Sequence, residues 1–148
     1  AGWEIRSAVS EWQARLGQSL EGVLVQLVAP EGPELILGGK QDDEFGPTVL
    51  LGWGGVMAEL MENPVMRLAP ISEFEANEMI DELPGRAVIE GYRGDEPISR
   101  AALIDALVRL SWLLADNPQV GEIDLNPLRA YPNNALILDA RVILRTIE

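Results

Sequence analysis

The chain has no cysteine and no histidine, and Lys40 is the only lysine among eleven Lys and Arg residues. Without thiols there is neither a disulfide frame nor a thiolate metal site. Without imidazole the usual general base, the commonest nitrogen ligand and any phosphohistidine are excluded. An enzyme handling polyphosphates with one lysine would have to borrow cations from elsewhere, so catalysis by this chain alone is not expected. No apolar run reaches the roughly 18 residues a membrane span needs. The start, Ala1-Gly2-Trp3-Glu4, has neither the charged nor the apolar region of a signal peptide. A net charge of −13 argues against a nucleic-acid surface, which needs clustered basic residues. The expectation is a soluble, cytoplasmic protein with no nucleic acid and no membrane among its partners.

What is present is enough to fold. Hydrophobic residues make up 47% of 148 positions, which suits one domain, or one lobe of a larger one, with a real core. Residues 7–16 carry apolar positions at 8, 9, 12 and 16, an amphipathic helix ending at Gly17. Val23–Val28 reads as a strand, with Glu34–Gly39 as its antiparallel hairpin partner. Thr48–Leu51 is a further short strand, followed by the Gly52-Trp53-Gly54-Gly55 loop and an apolar strand or turn over Val56–Leu60. Ser72 and Glu75 form a capping box that opens a helix to about Leu83. Ser99 caps a longer helix to about Ala115, with Leu103, Leu107, Leu110 and Leu114 as its apolar ridge. A final hairpin covers roughly 119–145. The order predicts an α+β fold, a mostly antiparallel sheet backed by helices.

One stretch concentrates oxygen ligands. In Gly121–Leu128, alternation puts Glu122, Asp124 and Asn126 on one face and Ile123 and Leu125 on the other. Tyr131-Pro132-Asn133-Asn134 supplies turn residues. A turn centred between Pro132 and Asn133 sets Asn126 opposite Asp139 and Asp124 opposite Arg141. Cross-strand neighbours lie within roughly 4.5–5.5 Å at Cβ, so two oxygens could converge on one ion. Hard oxygen donors without His or Cys suit magnesium arriving with substrate phosphates. The same spacing also fits the solvated face of an ordinary hairpin with a surface Asp124–Arg141 pair.

Other motifs are open to two readings. The Gly52–Gly55 loop could bring backbone N–H groups to a phosphate, or be a tight turn requiring glycine. Asp42–Pro47 reads as an acidic hairpin end. Arg93 in Gly91-Tyr92-Arg93-Gly94 could clamp an anion or sit in an exposed turn.

Taken in order, Gly22–Gln26, Glu34–Gly39, Phe45-Gly46-Pro47, Gly52–Gly55, Gly91–Gly94 and Glu122–Leu128 resemble the ATP-grasp domain of NDP-forming acyl-CoA synthetases. These include ADP-forming acetate–CoA ligase and the succinyl-CoA synthetase β subunit. The same domain occurs fused to GNAT acetyltransferases. The resemblance runs from about residue 20 to 145 and implies that residues 1–148 are the C-terminal lobe of such a domain. By the resemblance, Asn126 and Asp139 hold the Mg²⁺ of bound ATP or GTP, with Glu122 and Asp124 behind them. The segment Gln26, Leu27 and Val28 meets the adenine edge through its backbone.

The resemblance also names what is missing. The N-terminal lobe with its phosphate-binding lysine, the CoA-binding domains and the phosphohistidine-bearing part are not in this sequence, and they become the expected partners. Apolar surface left by a missing lobe would favour a homo-oligomer. The implied activity of the complete ligase is acid, CoA and NTP to acyl-CoA, NDP and phosphate, with the isolated chain inactive. The alternative is a regulatory ATP-grasp-like module of a GNAT protein acetyltransferase without catalysis of its own.

Overall fold

The computed structural model describes residues 2–17, 24–61, 63–92 and 94–145. They divide into two compact units, residues 1–30 and 31–148. In the first unit, helix α1 (Gly2–Leu16) stops at Gly17, whose φ is 61° and whose N–H donates to the Gln13 carbonyl. Residues 24–30 follow without regular secondary structure. Leu24, Val25, Leu27 and Val28 are exposed there.

The second unit holds a six-stranded antiparallel sheet. Its strands are β1 (Glu34–Asp42), β2 (Gly46–Trp53), β3 (Val65–Leu68), β4 (Val120–Ala130), β5 (Ala135–Ile137) and β6 (Ala140–Leu144). The order is β3-β2-β1-β4-β5, with β6 also paired to β4. A short helix α2 (Gly55–Leu60) leaves β2, and α3 (Glu73–Glu82) and α4 (Arg100–Asp116) cover one face. Alternation aims Leu35, Leu37, Val49 and Leu51 at these helices, where they are fully buried with Met79, Ile80, Leu103, Leu107 and Leu114.

Local chemistry sets the helix ends. Ser72 Oγ accepts from the Glu75 N–H while the Glu75 carboxylate accepts from the Ser72 N–H, the capping box read from sequence. Ser99 caps α4 by accepting from Ala102 N–H. The free carbonyl of Leu114 near the C-terminus of α4 is met by buried Gln41 Nε2 at 2.7 Å, tying the helix end to β1. Gly39 exists for this contact. A Cβ there would lie 2.1 Å from Leu114 Cδ1.

Three expectations are corrected. None of residues 24–28 lies in a strand, and Val23 falls outside the described residues. Both edges of β1 are already taken, by β2 on one side and β4 on the other. The β1–β2 turn closes tightly because Asp42 Oδ1 accepts from the N–H groups of Glu44 and Phe45, so β2, not 23–28, becomes the hairpin partner. Residues 56–60 are helical rather than a strand or turn. Val65–Leu68, unassigned from sequence, is a strand against β2.

Candidate nucleotide site on the open sheet face

The face of the sheet turned away from α3 and α4 forms an open trough of about 590 Å³. Ile36, Gly38 and Lys40 of β1 lie along its floor, with Leu50 and Thr48 of β2 and Met66 and Leu68 of β3 on one side. Glu122 and Asp124 of β4 close the other side. Register orders these side chains in rows. Leu68, Thr48, Lys40 and Glu122 form one, and Met66, Leu50, Gly38, Asp124 and Arg141 the next.

The C-terminal ribbon has the register read from sequence. Leu128 pairs with Ile137, Ala130 with Ala135, and Asp124 with Arg141. The turn closes through Tyr131 N–H to the Asn134 carbonyl at 2.8 Å. Between β5 and β6, Asn126 N–H donates to the Asp139 carbonyl at 3.1 Å and Leu138 N–H to the Pro127 carbonyl at 2.9 Å. Asn126 and Asp139 are therefore joined across the ribbon by a backbone hydrogen bond, at the break between the β4–β5 and β4–β6 pairings. Pro127 has no N–H to give, and the strand partner of β4 is split there into β5 and β6. The Asn126–Pro127 peptide is cis.

Both side chains are exposed. One Asp139 oxygen, Oδ1, accepts from the Ala140 N–H at 2.9 Å, which leaves Oδ2 for a ligand. Among the described residues no group of three or more His, Cys, Asp or Glu could hold a metal by itself. The oxygens available at these two exposed positions are one amide and one carboxylate. That donor set fits magnesium, which keeps several waters and binds through one or two protein groups plus phosphates.

Several arginines are paired with carboxylates: Arg67 with Glu82, Arg86 with Glu90, Arg100 with Asp81, Arg109 with Asp105, and Arg145 with Asp43. Lys40, Glu122 and Asp124 make no ion pair within 4 Å among the described residues, although Lys40 and Glu122 are register partners. Asp42 beside the trough is held below the usual carboxylate range, first by the Phe45 N–H and then by that of Glu44. Phe45 is thereby fixed at the hairpin tip, exposed at the rim of the trough.

The glycine loop is a structural turn. Gly54 N–H donates to the Glu34 carbonyl at 2.8 Å, and Gly55 takes φ 54°. Added Cβ atoms at 54 and 55 would press on Glu34. The Glu34 carboxylate is held by Arg129 at 2.8 Å, both being about one-quarter exposed, and this bond pushes the Arg129 pKa up. Gln26, Leu27 and Val28 lie in the segment of the first unit without regular secondary structure, with exposed side chains. Arg93 lies outside the described residues. Sequence reading passed over Gly38 and the position of Lys40. The available signals were the glycine pair inside a strand, which marks close approach of another group, and the solitary lysine.

A family model for the ATP-grasp domain matches residues 2–144, and the chain belongs to that family. Within it, the chain is 41% identical over 125 residues to ADP-forming acetate–CoA ligase I of Archaeoglobus fulgidus, covering 84% of this chain and 18% of that protein. It is 39% identical over 125 residues to the β subunit of ADP-forming acetate–CoA ligase I of Pyrococcus furiosus, covering 84% of this chain and 54% of that subunit. The chain thus spans about half of the β subunit and under a fifth of the single-chain ligase. Acetyl-coenzyme A synthetase 1 of Ca. Korarchaeum cryptofilum, solved with coenzyme A, acetyl-coenzyme A and a phosphorylated phosphohistidine segment, superposes with a TM-score of 0.86 at 41% identity, over 98% of this chain and 67% of that one. The same synthetase has been solved with coenzyme A and Mg-AMPPCP, with a TM-score of 0.75 at 45% identity over 79% of this chain and 55% of that one.

Proposed function

We propose that the chain is the C-terminal, magnesium–nucleotide-binding lobe of an NDP-forming acyl-CoA synthetase. The complete enzyme converts acid, CoA and NTP, either ATP or GTP, to acyl-CoA, NDP and phosphate. The observation that carries this reading is the backbone hydrogen bond from Asn126 N–H to the Asp139 carbonyl, which brings these two residues together across the ribbon.

In this reading Asn126 Oδ1 and Asp139 Oδ2 hold the metal that accompanies the nucleotide phosphates. Magnesium there neutralises phosphate charge during phosphoryl transfer. Lys40, on the same face, adds the one ammonium this chain possesses. Asp124 stands beside the pair and orients rather than binds. Gln26, Leu27 and Val28 offer backbone groups to the base in the complete protein. The chain has no histidine, so a phosphohistidine belongs to another part of the ligase. The preceding lobe and the CoA-binding parts are accordingly its partners, the assembly is cytoplasmic, and the apolar surface left on this lobe alone supports self-association. The named relatives are CoA ligases, which favours this reading over a regulatory module beside an acetyltransferase.

The test is a calorimetric titration of the complete ligase with MgATP, alongside acyl-CoA formation. Asn126→Ala with Asp139→Ala should abolish turnover and nucleotide-linked metal binding. Unchanged turnover would refute the assignment. The 148-residue chain alone is expected to bind MgATP weakly and to show no steady hydrolysis.

A further inference from the structure

Two neighbouring glycines of β1 differ in what requires them. Gly39 faces the helices, where Leu114 leaves no room for a Cβ. Gly38 faces the trough, and a Cβ built there meets nothing closer than Leu50 Cβ at 3.7 Å and the Ile123 carbonyl at 3.8 Å, which is ordinary contact. Nor does its backbone call for glycine, for Gly38 is not among the residues with positive φ. Glycine inside a strand weakens it and is otherwise found at a bulge or bend, or where a ligand or another backbone comes close. The irregularity of the β1–β4 pairing falls between Leu35 and Leu37, and Gly38 itself is in register with Leu50 and Asp124. Among the described residues of the second unit no backbone packs on this face of Gly38, which lines the trough.

We propose that Gly38 is a clearance position: its missing side chain lets the nucleotide lie against the β1 backbone, between Leu50 and Asp124. The inference rests on the nucleotide-lobe reading and adds a specificity-determining residue to it. The placement follows from the rows of the sheet. Within one row, Gly38 sits between apolar Leu50 and Met66 on one side and Asp124 on the other. Lys40 is two residues along on the same face, roughly 7 Å away. A nucleotide lying in the trough over Leu50 and Met66, with its phosphates toward Asn126 and Asp139, would pass over Gly38. A side chain at 38 would stand in its path while leaving the fold intact.

The experiment uses the complete ligase with Gly38→Ala and Gly38→Val, measuring thermal unfolding and MgATP affinity by calorimetry, with the Asn126→Ala/Asp139→Ala variant alongside. Both glycine variants should unfold at the wild-type temperature or above it. MgATP binding should weaken progressively from Ala to Val, by roughly ten- to a hundredfold for Val, the affinity equivalent of overpacking one side chain. Acyl-CoA formation should show this as a raised KM for the nucleotide. Wild-type affinity in Gly38→Val, with binding lost in the Asn126/Asp139 variant, would overturn the clearance role and leave the nucleotide-lobe reading standing. A drop in unfolding temperature already in Gly38→Ala would show that the glycine serves the fold and overturn the proposal. Failure of the wild type to bind MgATP would overturn both.

Discussion

Asn126 and Asp139 meet across the C-terminal ribbon, the backbone N–H of one donating to the carbonyl of the other at 3.1 Å. They stand thirteen positions apart in sequence, and the turn at 131–134 brings their backbones together. Each is an exposed polar group. We propose that an amide oxygen and a carboxylate from this pair hold one metal ion, and the predictions for activity follow from that proposal.

Asp139→Asn and Asn126→Ala are each expected to lower turnover of the complete ligase by about a hundredfold or more, exceeding what loss of an outer-shell partner does. Because both groups are exposed, unfolding temperature should move by less than about 2 °C, as for surface substitutions generally. Steady-state kinetics with magnesium varied at fixed nucleotide checks the first claim, and thermal melts check the second.

Gly39→Ala should destabilise the fold by about 1–3 kcal/mol, the usual range for overpacking. The new methyl would fall 2.1 Å from Leu114 Cδ1, and Leu114 is fully buried. The cost should shrink when Leu114→Ala is already present, since the two sites share one volume. A double-mutant cycle in urea reads this directly; additive effects would show that the contact is not the cause.

Arg129→Ala should lower stability, because it removes the charge-assisted hydrogen bonds to Glu34. It leaves the Glu34 carboxylate, about one-quarter exposed, beside the Gly54–Gly55 turn without its partner. Hydrogen exchange at the Gly54 amide, which donates to the Glu34 carbonyl, should rise in the variant.

Acid should weaken the fold through two identified carboxylates. Asp42 is held low by the backbone N–H groups of Phe45 and Glu44, and Glu75 by the Ser72 backbone N–H and hydroxyl. A carboxylate with a depressed folded pKa binds fewer protons folded than unfolded. Its contribution is complete above the unfolded value and is lost as pH falls through the folded one. Denaturation midpoints should therefore decline from about pH 5 downward. Asp42→Asn with Glu75→Gln, which removes the two titrations while keeping acceptor oxygens, should flatten that decline.

Features set by nearby residues were legible in the sequence. The Ser72–Glu75 box, the Ser99 cap, the leucine ridge of α4 and the register of the last ribbon each depend on a few adjacent positions or one turn. Long-range pairing was not legible. Strand β1 is flanked by β2 and by β4, some ninety residues later, and nothing local says that 23–28 loses that competition. The short β3 carries too little alternation to separate it from a loop, and α2 turns helical only after the backbone bends at Gly55. The register that brings Asn126 to Asp139 could be read because the partner strands were next in sequence. The trough around Gly38 and Lys40 could not, because it is assembled from four strands.

The most direct test is a crystal structure of the complete ligase with a non-hydrolysable nucleotide and magnesium. The account predicts one magnesium ion about 2.0–2.1 Å from both Asn126 Oδ1 and an Asp139 carboxylate oxygen, bridging to phosphate above the open sheet face. A nucleotide-bound magnesium coordinated by neither residue would contradict it.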